Sequence, residues 1–410
     1  MRMTPFGKLL DPMEARRRLL SVARPVSRKE ELPLSEGLGR VVAVTVRSPE
    51  AIPAFRRASW DGYALRSRET KGAADLAPAR FRLVGELHAE EGFPRPLRPG
   101  EAVAVATGAP LPRGADAVAI FEDTRSEDGV LEVFHPVEPG RAVAERGEDI
   151  RRGEVLVRTG ELLTPARIGS LGAVGERTVE VFGRVRVALL PNGNELVPPD
   201  RTPGPGQIRE FNNLTLGSFI RGLGGEATAL PPAPDDPREI ERRIRDALEG
   251  HDMVWVTGGS SVGERDFLPR VLPRVGRMLF HGLSIRPGKP TLAAVAGGKI
   301  VLGLPGHPTS CLSNAFWLLV PLLERVERRR EPILRERTVR LASPYGPTAP
   351  GFTSVLPLRL ENGWGHPTYR GSAAITSLVG AGAFALLPGG KPRLARGRPI
   401  KVWELPPPVG

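Results

Sequence analysis

Met253-Val254-Trp255-Val256-Thr257-Gly258-Gly259-Ser260-Ser261-Val262-Gly263-Glu264-Arg265-Asp266 is the stretch on which the reading of this chain turns. A short apolar run ends in a glycine-rich turn, and the pairing recurs twice. Ile285-Arg286-Pro287-Gly288-Lys289-Pro290 precedes the run Thr291 to Ala296, and Gly303-Leu304-Pro305-Gly306-His307-Pro308-Thr309-Ser310 follows Ile300-Val301-Leu302. Apolar runs of this length between glycines predict buried parallel strands. Loops at the carboxyl ends of such strands are where α/β sheets hold ligands. Glycine lets an anion approach the backbone closely, and free amides beside serine hydroxyls can cradle it. Gly258, Gly259, Ser260, Ser261, Pro305 and Gly306 are therefore candidate substrate-binding residues, and Arg286 and Lys289 add fixed positive charge. None of the three is a Walker loop or a dinucleotide fingerprint. The constellation predicts a site for a phosphorylated or oxyanionic small molecule.

Working outward, Val185 to Leu190 predicts a strand, with a helix from about Ile208 after it. Asp236-Pro237-Arg238-Glu239 is a capping box opening a helix that Gly250 ends, and Pro308 starts a helix with Leu312, Phe316, Leu319 and Leu323 on one face. These elements predict a three-layer α/β domain over 182–327, completed by an amino-terminal helix that Asp11-Pro12-Met13-Glu14 caps. Residues 47–144 alternate short β-type runs with Pro and Gly turns, as do 328–410, so each predicts a separate small β domain, the second barrel-like. Segments 25–46 and 145–181, the latter with a helix from Thr164-Pro165, link them. The fold class is multidomain α/β plus β.

At 410 residues the chain is too long for one core. Apolar content of 40% and charged content of 25% are those of a soluble globular protein. The single cysteine, Cys311, excludes an internal disulfide and a cysteine-based zinc site. The amino terminus lacks the apolar core of a signal peptide, and no run is long enough to span a membrane, so a cytoplasmic protein is expected. The charge of +12 is spread over scattered arginines, and aromatics make up only 5%, which argues against nucleic acid as partner.

The acidic residues opposite this charge are Glu195, Asp235, Asp236, Asp266 and Asp61. Glu195 follows the strand at Val185 to Leu190 and so belongs to the same sheet edge as the glycine loops, where Asp266 also lies. Carboxylates beside a phosphate cradle suit Mg²⁺, which takes one or two of them plus substrate phosphate. Asp236 is accounted for as a helix cap, which leaves Asp235 as the better ligand. Asp61, between Trp60 and Gly62, reads equally as a turn residue. No Ser-His-Asp grouping is visible, so covalent catalysis is not indicated.

Taken together the segments resemble the molybdopterin molybdotransferase family, the MoeA type to which the E domain of gephyrin also belongs. The resemblance rests on Pro53 to Ala64, Ala106-Thr107-Gly108-Ala109-Pro110 with Gly114 to Val118, Gly147-Glu148-Asp149-Ile150, the Thr257 to Asp266 loop, Arg286 to Pro290 and Gly303 to Gly306. It implies a transferase of molybdenum cofactor biosynthesis, a four-domain subunit and an elongated homodimer. The implied substrates are molybdate and adenylylated molybdopterin, with Mg²⁺, and AMP is released; other cofactor-biosynthesis proteins are implied partners. Carried over by match, Glu195, Asp235 and Asp266 are metal and substrate-site acids, Glu195 and Asp266 also catalytic. Asp61 and Thr107, catalytic as well, close the partner subunit's cleft, while Arg286, Lys289 and Ser372 hold oxyanions. The chain departs from the pattern at Asn192-Gly193-Asn194-Glu195, where the family has Thr-Gly-Asp-Glu, at Trp60 in place of methionine, at Leu356-Pro357 in place of an arginine, and at Gly382 in place of an asparagine. Two alternatives stay open: a non-catalytic molybdopterin-binding or scaffold paralogue, and a pterin adenylyltransferase.

Overall fold

The computed structural model describes residues 7–261, 263 and 266–404; Val262, Glu264 and Arg265 of the first glycine loop and the Pro406-Pro407-Pro408 tail lie outside them. By compactness the chain divides into two units, one of 1–44, 159–164 and 179–410, the other of 45–158 and 165–178.

The larger unit is built on a six-stranded sheet. Its order is Glu226–Ala229, Arg186–Pro191, Met253–Thr257, Lys299–Leu304, Leu292–Ala296, Arg277–His281. Along Arg186–Pro191 alternate side chains enter different cores. Val187 and Leu189 join Ala15, Leu19, Leu216, Ile220 and Trp317 on one face. Ala188 and Leu190 join Ile240, Ile244 and Val271 on the other. Both faces are covered by helices, which is why the strand reads as an unbroken apolar run rather than an alternating one. The three-layer reading holds, and the amino-terminal helix Pro12–Val22 packs into it. Asp11 caps that helix by accepting from the amides of Met13 and Glu14. Asp236 does the same for Pro237–Gly250, through Arg238 and Glu239.

Two expectations need correcting. The run Thr291 to Ala296 is not parallel: strand Leu292–Ala296 is antiparallel to both of its neighbours, with Leu292 opposite Gly303. The two-residue turn at Gly297-Gly298, both glycines at positive φ, closes a hairpin that short apolar runs alone do not distinguish from a crossover. Reversal places the start of this strand, rather than its end, at the carboxyl edge of the parallel strands, so the Ile285 to Pro290 loop still arrives there. The helix expected from Ile208 begins at Asn212; Ile208–Arg209 instead pairs with Leu196–Val197. Helix Leu268–Val275 and strand Arg277–His281 complete the layer.

The carboxy-terminal segment forms a closed five-stranded barrel. Thr353–Glu361, Trp364–Pro367, Arg335–Leu341, Pro399–Glu404 and Ala383–Leu387 pair in that order, and the last strand returns to the first. A strand from the middle of the chain, Ile285–Arg286, is added beside Thr353-Ser354. In the smaller unit six strands form a mixed sheet ordered Ala117–Ile120, Gly62–Leu65, Glu101–Val105, Ala79–Leu87, Val130–Val133, Thr124–Glu127.

Candidate functional site

Three chain segments meet at the carboxyl edge of the parallel strands. The amide of Asn192 donates to the carbonyl of Thr257 at 2.8 Å, and the amide of Gly258 donates to that of Leu304 at 3.1 Å. These bonds fasten the ends of three neighbouring strands to one another. At Gly258 the backbones then come so close that a side chain is excluded. A methyl on Gly258 would lie 2.5 Å from the Asn192 carbonyl, and one on Gly306 would lie 3.6 Å from the Gly258 Cα. Gly258 also sits at φ +88°, a region that side chains resist. Glycine is thus required at position 258, and Gly306 packs against its Cα at ordinary contact distance, so that the first and third loops meet there.

Asp266 closes the first loop on itself. Its carboxylate accepts from the amide of Ser261 at 3.0 Å and from that of Gly263 at 2.8 Å. Asp235 is also engaged: its side chain accepts from Asn192 Nδ2 at 2.9 Å, and its amide donates to Asn194 Oδ1 at 3.1 Å. The two asparagines that depart from the family pattern therefore brace Asp235. Asn192 is 4% exposed, and its Oδ1 has no partner among the described residues. Glu195 is exposed, and its carboxylate folds over Gly193, within 2.5 to 2.6 Å of where a side chain would begin. The three carboxylates expected to hold a metal do not arrive as one cluster. Among the described residues no three His, Cys, Asp or Glu side chains converge, because two of these acids are spent on holding loops.

The second loop is fixed from below by a residue that the sequence reading missed. Asn314, wholly buried, donates to Thr291 Oγ1 at 2.6 Å and to the Gly288 carbonyl at 3.2 Å, and accepts from Trp317 Nε1 at 3.0 Å. The carbonyl of Lys289 accepts from the amides of Leu283 and Thr291, both at 2.9 Å. Arg286 is exposed and stacks on the Phe352 ring of the barrel segment, 4.2 Å from its centre. The signal for Asn314 was available: it is an amide directly before the apolar helical run that begins at Ala315.

Ser372 does approach from the barrel segment, but it meets the third loop rather than Arg286. Its carbonyl accepts from the Thr309 amide at 3.1 Å, and its hydroxyl lies 3.2 Å from His307 Nδ1. Asn212, also missed, donates from Nδ2 to the Gly306 carbonyl at 2.9 Å. Glu210, buried just before that helix, has its carboxyl pushed above the usual range by desolvation, against the pull of the Asn213 and Asn212 amides. In the smaller unit Asp61 accepts both the amide of Thr107 at 2.6 Å and its hydroxyl at 2.9 Å. These two bonds, the amide's first, hold the Asp61 carboxyl below the ordinary range. Trp60 beside it is 62% exposed.

A sheet covered by helices on both faces, with glycine loops at its carboxyl edge, together with a small barrel and a second unit built on a mixed sheet, defines a multidomain α/β protein. Comparison with known proteins narrows that class. Residues 10–175 match the MoeA N-terminal region (domain I and II), 188–325 a probable molybdopterin-binding domain, and 338–405 the MoeA C-terminal region (domain IV). A molybdopterin molybdenumtransferase of Synechococcus elongatus is 34% identical, over 92% of this chain and 94% of its own. One of Haemophilus influenzae is 31% identical, over 78% of each. The crystal structure of a molybdopterin biosynthesis MoeA protein from Pyrococcus horikoshii superposes with a TM-score of 0.84 at 36% identity, over 98% of this chain and all of that one. The chain belongs to the MoeA family.

Proposed function

We propose that this protein is a molybdopterin molybdotransferase: it binds adenylylated molybdopterin, inserts molybdate into the dithiolene and releases AMP. The observation that carries this reading is the stacking of Gly258, Gly259 and Gly306 at the carboxyl edge, with the Arg286 to Lys289 loop beside it. The amides of Gly258, Ser261 and Gly263 already have acceptors, so phosphate oxygens would approach the remaining backbone of the glycine loops, and the two cations would offset their charge. Asp266 contributes by keeping the Ser261 and Gly263 amides in one loop shape, which organises the cradle before substrate arrives.

Mg²⁺ belongs to the proposal through Glu195. Its carboxylate is exposed and rests where Gly193 has no side chain, so it can turn towards a cation; Asp235 and Asp266 would contribute only through whatever oxygen their loop bonds leave over. That fits an ion which draws most of its ligands from water and substrate phosphate, and which would supply charge neutralisation there. A homodimer is proposed as well, with Asp61 and Thr107 serving the partner copy's cleft, as are the division into four domains and a cytoplasmic location. No described helix is long and apolar enough to cross a membrane.

The deciding experiment is turnover of adenylylated molybdopterin with molybdate and Mg²⁺, following AMP. Molybdate-dependent AMP release supports the transferase. Tight pterin binding without AMP release would instead identify a scaffold, and AMP incorporation from ATP an adenylyltransferase. Light scattering should give twice the monomer mass; a monomer at micromolar concentration would remove the shared-cleft part of the proposal.

A further inference from the structure

A separate cavity lies at the other end of the sheet. It has a volume of about 390 Å³ and is lined at its rim by Arg184 and Gly224, which precede the strands Arg186–Pro191 and Glu226–Ala229. The glycine loops follow strands and this cavity precedes them, so the two sites occupy opposite edges. A volume of this size is within the range of small-molecule sites.

Its chemistry is lopsided. Four arginines, Arg184, Arg221, Arg329 and Arg335, line it with a single carboxylate, Glu331. Two of the four are built into the wall. Arg184 donates to the Gly224 carbonyl at 2.6 Å, and Arg329 donates to the Leu223 carbonyl and to Glu327. The other two carry charge into the cavity without an acidic partner. Arg221 makes only one long bond, 3.5 Å to the Ala227 carbonyl, and the guanidinium of Arg335 has no hydrogen bond or ion pair among the described residues. Glu327, 4% exposed, lines a smaller pocket that shares the Arg184 and Arg329 walls, and its Oε1 has no partner among the described residues. Leu162, Leu223 and Ile333 form an apolar side.

We propose that this cavity is a second binding site, distinct from the glycine loops, for a small organic anion: a phosphate or carboxylate group carried on an apolar or aromatic body. Arg221 and Arg335 present forked donors that match such a group bidentately, which a lysine pair would not. The leucine and isoleucine wall receives the body. An inorganic anion alone would leave that wall wet, so the ligand needs both parts.

Phenyl phosphate is the matching probe, with inorganic phosphate as its headgroup control, and calorimetric titration of the full chain is the measurement. Phenyl phosphate should bind more tightly than inorganic phosphate. The double variant Arg221→Ala/Arg335→Ala should weaken its binding roughly ten- to a hundredfold, as expected for losing charge-assisted hydrogen bonds. Arg221→Lys, which keeps the charge and loses the fork, should fall between, while Lys289→Ala at the glycine loops should leave this affinity unchanged. An unchanged melting temperature in the double variant confirms that the wall still folds; if it does not, the Arg221→Lys result decides by the same criterion. The proposal is overturned if phenyl phosphate fails to bind, or if its affinity drops only in Lys289→Ala. It is equally overturned if the double variant changes the mass measured by light scattering, since the arginines would then hold a subunit contact.

Discussion

Replacing Asn314 by alanine tests whether the Lys289 loop is held from beneath. In the structure this one side chain serves three partners: Thr291 Oγ1, the Gly288 carbonyl and Trp317 Nε1. The losses are unequal. Gly288 keeps the hydroxyl of Thr291 as a donor at 2.8 Å, so its carbonyl stays satisfied. Trp317 is 1% exposed and its indole N–H would be left without an acceptor. Two hydrogen bonds at about 1 kcal/mol each, with about 1–3 kcal/mol for the orphaned donor, give a loss of about 3–5 kcal/mol. At about 2–4 °C per kcal/mol for a domain of this size, the melting temperature should fall by about 10 °C in calorimetry. Trp317→Phe breaks one hydrogen bond and orphans the buried Asn314 oxygen, so on the same figures it should cost about 2–4 kcal/mol, less than the alanine variant. Because Gly288 and Thr291 flank Lys289, the same variant should also raise the molybdate concentration needed for half-maximal AMP release. A melting temperature within about 2 °C of the parent, with unchanged molybdate dependence, would show that the loop is not anchored by this residue.

Three further expectations follow from the same geometry. Lys289→Ala should raise the molybdate requirement roughly ten- to a hundredfold, measured as the half-saturating concentration; no change would remove the lysine from the anion site. Glu195→Gln keeps the shape and loses the charge, so it should shift the Mg²⁺ dependence of turnover to higher concentration while leaving the melting temperature alone; the opposite pattern would make Glu195 structural. Glu210 is pushed up by burial, so the folded state holds its proton more tightly than the unfolded chain. Its contribution is fully present below the ordinary value of 4.5 and is lost as pH rises through the raised folded-state value. Glu210→Gln, which retains the acceptor for the Asn213 amide and never ionises, should therefore melt increasingly above the parent from pH 5 to pH 8; a pH-independent difference would contradict this.

How far the sequence could be read depended on whether an interaction was local. Asp11 and Asp236 announce their helices because a cap lies within three residues of the amides it serves. The glycine loops were legible as turns flanking apolar strands, although periodicity could not reveal that Leu292–Ala296 runs backwards. The strand at Ile208 was not read because its parallel pairing with Leu196 depends on the path of the loop 198–207 between them, not on its own neighbours. Asp235 and Asp266 have the residue types of metal ligands, yet each is engaged by groups placed by folding: the Asn192 amide from another strand end, and the Ser261 and Gly263 amides. Acidic character is written in the sequence; which hydrogen bonds have already claimed it is not. Arg329 illustrates the same point, since it turns inward to Glu327 while its neighbours Arg328 and Arg330 stay exposed.

The strand Ile285–Arg286 has a consequence for any attempt to take this protein apart. It belongs by sequence to the α/β layer and by hydrogen bonding to the barrel, where it lies beside Thr353-Ser354 and places Arg286 on Phe352. A fragment cut at residue 327 would keep every residue of the glycine loops and still lose the outer support of one of them. Two backbone edges that now satisfy each other would face water, and the arginine would swing without its aromatic rest. If the proposed anion site is correct, the barrel is one of its jaws rather than an appendage, and grafting it from a relative should transplant part of the substrate preference along with it.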